Sequence, residues 1–204
     1  MNALTSRDFA KTDDPFVLFE TWFDAAKKSE LGDPNAMALA TVDANGLPNV
    51  RMVLLKAATP SGFVFYSNSE SAKGQELHAN MQAAAVLHWK SLRRQVRLRG
   101  PVTLVDTSET DAYFASRPLQ SKIGAWASQQ SRPLDSRFAL ETAAAKYAAK
   151  FGLAGVPRPP HWLGYRIAPI YLEFWSEGAF RLHDRIVFRR QTGEDAWRKE
   201  RLYP

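Results

Sequence analysis

The pair Asn45-Gly46 stands between two runs rich in apolar residues, "AMALATVD" and "VRMVLLK". Asn-Gly is a preferred pair for the two-residue turns of antiparallel hairpins, because the central positions of such turns need a positive φ. The flanking runs are therefore predicted to pair as antiparallel neighbours. The same pattern of short runs recurs downstream: "GFVFYS", "AAAVLHWK" and "RRQVRLRGPVTLV" in the middle of the chain, then "WLGYRIAP", "YLEFWSE", "FRLHDRIVFRR" and "WRKERLYP" at its end. Short strands linked by hairpin turns argue against a doubly wound parallel sheet and predict an antiparallel barrel with helices packed on its outside. Gly100-Pro101 lies inside one of these runs and predicts a bend or bulge there.

Helices are predicted at four places. Asp14-Pro15 supplies an N-cap and a first helical position, after which Phe16, Phe19, Trp22, Phe23 and Ala26 recur at helical spacing up to a stop at Gly32. A short helical stretch surrounds "AKGQELHAN". Ser108 to Asp111 reads as a capping box opening a helix through "AYFASR" that Pro118 stops. "DSRFALETAAAKYAAKFG" is an alanine-rich helix with Gly152 as its C-terminal stop. No repeat, low-complexity tract or long linker divides the chain, so residues 1–204 read as a single mainly β domain with flanking helices (α+β), with 1–13 as a flexible N-terminal arm.

At 204 residues and 45% hydrophobic content the chain can bury a core, and 27 Lys and Arg against 21 Asp and Glu leave it at +6. That charge favours anionic partners. Without cysteine there are no disulfides, thiolate metal sites or cysteine nucleophiles. The four histidines are scattered without ligand spacing, so no metal is expected, and nucleotide-binding glycine loops, hydrolase elbows and zincin motifs do not occur. "MNALTSRDFAKTDD" lacks the apolar stretch of a signal peptide, and no run reaches the ~20 apolar residues of a membrane helix. A cytoplasmic protein is expected.

Several polar constellations stand out. "RMVLLK" carries Arg51 and Lys56 at opposite ends of an apolar strand. "YSNSESAKG" brings Ser67, Ser69, Ser71, Lys73 and Gly74 to a helix entrance, a combination suited to a phosphate. In "LRRQVRLRG", Arg93, Gln95, Arg97 and Arg99 share one strand face; this face is either solvated or, beside Trp89 and Phe65, a nucleic-acid surface. Tyr113 and Arg117 are four apart on one helix, with Ser121 just past Pro118, so three donors can converge on one anion. In "RLHDR", a strand puts Arg181, His183 and Arg185 on one face, where the charges repel unless an anion or water lies against them.

In order along the chain, "RMVLLK", "RRQV", "YFASRP", "IGAWAS", "QSRP", "PRPPHW", "EFW" and "RLHDR" resemble the pyridoxine (pyridoxamine) 5'-phosphate oxidase family from about Asp14 to Pro204. The resemblance implies an antiparallel FMN-binding split β-barrel that works as a homodimer with flavin sites at the subunit interface. It implies oxidation of pyridoxine or pyridoxamine 5'-phosphate to pyridoxal 5'-phosphate, with hydride passing from substrate C4' to flavin N5 and dioxygen reduced to hydrogen peroxide. Carried over motif by motif, the flavin contacts are Arg51, Met52, Val53, Leu54, Leu55, Lys56, Tyr66, Ser67, Lys73, Gln95, Gln130, Ser131, Trp175 and Arg185. The substrate phosphate falls to Lys56, Tyr113, Arg117 and Ser121, and Arg181 and His183 are the catalytic residues over the pyridine ring. No nucleic acid, membrane or metal is implied.

The chain departs from the family at Ala72, where Ser-Arg-Lys is frequent, and in its short N-terminal arm, which offers only Arg7 and Phe9 as a cover for substrate. Two other readings stay open on the sequence. One is a related flavin oxidase acting on a phenazine precursor, for which the Lys56, Tyr113, Arg117 and Ser121 cluster has no purpose. The other is a basic, colourless barrel that binds nucleic acid.

Overall fold

The structure is a computed structural model, and it describes residues 12–152, 155–193 and 195–204. The expected arm at 1–13, with Arg7 and Phe9, lies almost wholly outside them; Thr12 and Asp13 are tied to Lys199, whose Nζ donates to the Thr12 carbonyl at 2.8 Å. Among the described residues the helices are α1 (Pro15–Ser29), α2 (Ala72–Ala79), α3 (Thr107–Ser116), α4 (Leu119–Ala127) and α5 (Arg137–Phe151). The strands are β1 (Ala36–Val42), β2 (Pro48–Leu54), β3 (Ala57–Thr59), β4 (Gly62–Asn68), β5 (Gln82–Trp89) and β6 (Arg94–Leu104), followed by β7 (Trp162–Ile167), β8 (Tyr171–Ser176), β9 (Asp184–Arg189) and β10 (Arg198–Leu202).

Every strand pairing is antiparallel, in the order β10-β9-β8-β6-β5-β1-β2, with β7 joining β6 to β4 and β4 to β3. The hairpin expected at Asn45-Gly46 is β1-β2, with Val42 opposite Pro48 and Gly46 at φ 86°. Gly100-Pro101 sits where β6 changes partner: Arg94 to Arg99 pair with β8, whereas Val102 to Leu104 pair with β7. That switch curls the sheet into a half-open barrel. It requires glycine, since a Cβ at Gly100 would stand 2.1 Å from the Ala168 carbonyl oxygen. Gly100→Ala is expected to cost about 1–3 kcal/mol of stability through this overpacking, read as a lower denaturation midpoint; an unchanged midpoint would mean that the two strands separate freely there.

The core lies between the curled sheet and α1, whose Asp14 cap accepts from the Phe16 amide at 2.7 Å. Phe19 and Trp22 are buried, with Phe19 edge-on to Phe63 and Trp22 edge-on to Phe174. Burying side chains of this size contributes roughly 1.5–3 kcal/mol each. Alternation along β6 sends Val96 and Leu98 inward while Gln95, Arg97 and Arg99 take the outer face; Arg94 is buried, its guanidinium 4.5 Å from the Trp22 ring centre.

Three local expectations are corrected. The capping box at Ser108 does not form: Asp106 holds the N-cap position of α3 without a side-chain bond, and Asp111 is engaged by Arg158. Arg93 lies in the turn before β6, at φ 52°, rather than on its face. The strand expected through "FRLHDRIVFRR" begins only at Asp184. Ahead of it, Ala179–Arg181 form a 3-10 turn, with Phe180 and Arg181 at φ 55° and 64°. Gly178 permits that fold-back, because a Cβ there would meet the Leu182 carbonyl oxygen at 1.8 Å. Arg181 and His183 therefore precede the strand that carries Arg185, and strand alternation does not set their directions.

Candidate functional site

Two groups of polar residues emerge at separate places. The first surrounds a cleft of about 440 Å³ bounded by the end of β2, by β4, by the start of α2 and by the α3-α4 corner. Met52, Val53, Leu54, Lys56, Tyr66, Ser67, Lys73, Tyr113, Arg117, Ser121 and Gln130 all line it. Pro118 ends α3 and turns the chain, so that Arg117, at the C-cap, and Ser121, in the first turn of α4, face the same space as Tyr113. The corner is braced from behind: Arg166 pairs with Glu109 at 2.9 Å, and Arg158 holds Asp111 and the Trp162 carbonyl.

One wall is aromatic. Tyr66 stacks on Tyr113 at 4.2 Å between ring centres and on Trp162 at 4.9 Å. The Arg117 guanidinium lies 4.9 Å from the Trp162 ring, and the Lys56 ammonium 5.9 Å from the Tyr113 ring. Arg117 Nη1 is buried and has no hydrogen-bond partner among the described residues. Burial pushes the guanidinium below its ordinary pKa, yet arginine stays charged. A buried donor left unmatched on a cation is the mark of a site that expects an anion.

At the opposite wall Lys73 is 7% exposed, and its Nζ donates to Ser71 Oγ at 3.1 Å and Gln130 Oε1 at 3.0 Å. Burial, followed by the neighbouring Arg51 charge, lowers its pKa. Of the serines expected at a phosphate, Ser67 lines the cleft, whereas Ser71 caps α2 through the Gly74 amide and Ser69 bonds the His161 carbonyl. Arg51 points away, toward α2: its guanidinium pairs with Glu76 at 2.8 Å and bonds Thr41. Burial alone would raise the Glu76 carboxyl, but bonds from Thr41, Asn49 and Arg51 outweigh it and its pKa is lowered. Leu55 is in the core. Ser131 is exposed in the α4-α5 connection, at φ 71°.

The second group lies on the outer face of β6, β8 and β9. Gln95 is the register partner of Trp175, and Trp175 of Arg185, so the three form one row across adjacent strands. His183 packs its ring 4.7 Å from that of Trp175 and accepts from the Gly178 amide at 3.2 Å, while Arg181 is exposed on the turn. None of Gln95, Trp175, Arg181, His183 and Arg185 lines the first cleft. Between the two groups the outer face is lined by small and apolar residues, among them Ala38, Ala40, Ala84 and Val86, with Val50 and Met52 exposed beside them.

Two buried carboxylates were missed in the sequence, Glu76 and Glu173. Glu173 interrupts the apolar alternation of "YLEFWS", which was the available signal. Among the described residues no group of acidic or histidine side chains is arranged to hold a metal ion, and no helix is long and apolar enough to cross a membrane.

The fold recurs in solved structures. PhzG from Burkholderia lata, determined with tetrahydrophenazine-1-carboxylic acid, superposes with a TM-score of 0.91 at 29% identity, covering 99% of this chain and 98% of that one. A pyridoxamine 5'-phosphate oxidase-related, FMN-binding protein from Nostoc punctiforme superposes at 0.74 with 17% identity over 94% and 98% of the two chains. Curled antiparallel sheet and cleft thus define a split β-barrel protein. Residues 23–151 match the family model described as pyridoxamine 5'-phosphate oxidase, and residues 162–204 match that of the pyridoxine 5'-phosphate oxidase C-terminal dimerisation region. Pyridoxine/pyridoxamine 5'-phosphate oxidases of Azorhizobium caulinodans and Agrobacterium fabrum are 62% and 61% identical, over 100% and 98% of this chain and 96% and 98% of theirs. The chain belongs to the pyridoxamine 5'-phosphate oxidase family.

Proposed function

We propose that the protein is an FMN-dependent oxidase converting pyridoxine 5'-phosphate and pyridoxamine 5'-phosphate to pyridoxal 5'-phosphate. The observation that carries this reading is the buried, unmatched Nη1 of Arg117 beside Lys56, Tyr113 and Ser121. A substrate phosphate supplies the missing acceptors. A substrate without phosphate, such as a phenazine precursor, leaves that donor unsatisfied, at a cost of about 1–3 kcal/mol.

The residues also fit FMN. Lys73 and Gln130 meet across one end of the cleft, where a buried cation with a lowered pKa gains a counter-charge from a flavin phosphate. Met52, Val53 and Leu54 form an apolar edge for the ring system. Held by Lys73, Gln130 and the Met52 to Leu54 edge, FMN would supply the hydride acceptor for oxidation at substrate C4', with dioxygen as the final oxidant and hydrogen peroxide as its product. The chain's own task is to orient the two rings and hold both phosphates, while water enters to release ammonia from the oxidised amine.

The second group of residues completes the site from another copy. Gln95, Trp175 and Arg185 would meet the flavin, and Arg181 and His183 the pyridine ring, across a homodimer interface. This is supported by the separation of the two groups within one chain, by the exposed apolar residues between them, and by the match of residues 162–204 to a dimerisation region.

Ala72 occupies the exposed first position of α2, next to Lys73. Ala72→Arg adds a guanidinium near the flavin phosphate and is expected to lower the FMN dissociation constant by roughly tenfold, the lower end for a charge-assisted hydrogen bond. Fluorescence titration measures it, and an unchanged constant removes position 72 from the site. The function itself is tested by aerobic turnover of both substrates in FMN-saturated protein, following aldehyde and peroxide. Product from each at matching peroxide yield is expected, and no turnover of either contradicts the proposal.

A further inference from the structure

Glu173 stands in the middle of β8 with its side chain 1% exposed. Oε1 accepts from Arg185 Nε at 2.9 Å. Oε2 accepts from the Tyr171 hydroxyl at 2.6 Å and lies 3.7 Å from an Arg97 nitrogen. Two hydrogen bonds and an ion pair, from three adjacent strands, thus surround one carboxylate. Burial alone would raise its pKa, but the bonds from Arg185 and Tyr171 and the charge of Arg97 outweigh it, and the group is ionised. A buried ion pair returns little net stability, because desolvation offsets the attraction. What such a pair fixes is direction.

The direction fixed here is that of Arg185. Its Nε is held by Glu173, and its Nη1 donates to the Tyr203 carbonyl at 3.0 Å. Two of the three guanidinium nitrogens are thereby anchored on the protein side, Nη2 makes no hydrogen bond among the described residues, and Arg185 is the register partner of Trp175. We infer that Glu173 is a positioning residue of the flavin site, holding Arg185 so that one edge of its guanidinium faces the ligand, and setting the charge beside the flavin with its own negative charge. This rests on the assignment of Arg185 to the flavin.

The test compares Glu173→Gln, Arg185→Gln and the double variant in the full-length chain, reading the FMN dissociation constant and the midpoint potential of bound flavin. Glu173→Gln is expected to weaken FMN binding by about tenfold or more, as losing the charged partner of a hydrogen-bonded cation does. The potential should move to more positive values, because a negative charge has left the flavin's surroundings. In the double variant the loss should not exceed that of Arg185→Gln alone, since Glu173 acts through that residue. Losses that multiply, with an unshifted potential, overturn the proposal, because a carboxylate that merely braces three strands behaves that way. Weakened binding in Arg185→Gln with wild-type binding in Glu173→Gln overturns the proposal alone. Unchanged binding in Arg185→Gln removes the flavin assignment beneath it. Should Glu173→Gln fail to fold, Glu173→Asp carries the test with the charge kept and the reach shortened; wild-type affinity there also overturns it.

Discussion

Arg117→Met is expected to lower kcat/KM for pyridoxamine 5'-phosphate by about one to two orders of magnitude, the equivalent of the roughly 1.5–3 kcal/mol in a hydrogen bond to a charged group. The side chain lies over Trp162 with Nη1 buried and unpartnered, so methionine keeps most of the packing volume and removes only the charge and the donors. FMN affinity should stay within a few-fold. Unphosphorylated pyridoxamine provides the control, because it makes no use of the guanidinium: its slow turnover should be the same in both proteins. An equal loss for both substrates would mean that Arg117 supports the corner between α3 and α4 instead of reading phosphate.

The second large effect is expected if the proposed site is shared between two copies. Arg117 belongs to the cleft, whereas Arg181 lies on the turn before β9, outside it. If each site takes its cleft from one copy and its Arg181 from the other, a heterodimer of Arg117→Met and Arg181→Ala contains one site with both defects and one with neither. Co-expressed with different tags and purified as the mixed species, it should regain about half of wild-type activity, although each parent homodimer is nearly inactive. A heterodimer no more active than its parents would place both residues in the same copy's site.

Much of the fold was legible in the sequence because its signals are local. Asn45-Gly46 dictates a turn whatever else surrounds it, and Gly152 ends α5 with a positive φ as expected. Gly100-Pro101 marked a bend whose purpose, the exchange of β8 for β7, depends on strands some seventy residues away and could not be read locally. The alternation across "RLHDR" failed for a related reason. Gly178 reverses the chain just upstream, and the signal for that reversal is a backbone clash rather than a hydrophobic period.

The candidate site divides the same way. Tyr113, Arg117 and Ser121 converge because helical spacing and one proline suffice to bring them together. Arg51 and Arg185 look alike in sequence, as cations near apolar runs, but each is claimed by a buried carboxylate on another element. Pairings of this kind follow from register and helix docking, so they appear only once the sheet is assembled. In the proposed reading a second copy supplies Gln95, Trp175, Arg181, His183 and Arg185, and no pattern along one chain marks such a shared surface.

Under the proposed function this site moves a hydride from a phosphorylated B6 substrate to a flavin. The most direct measurement mixes FMN-loaded protein with pyridoxamine 5'-phosphate in the absence of oxygen and follows flavin absorption through one turnover. Bleaching of the oxidised flavin bands with pyridoxal 5'-phosphate formed in equal amount, and return of the bands when oxygen is admitted, is the expected result. Flavin that stays oxidised in the presence of saturating substrate would contradict it.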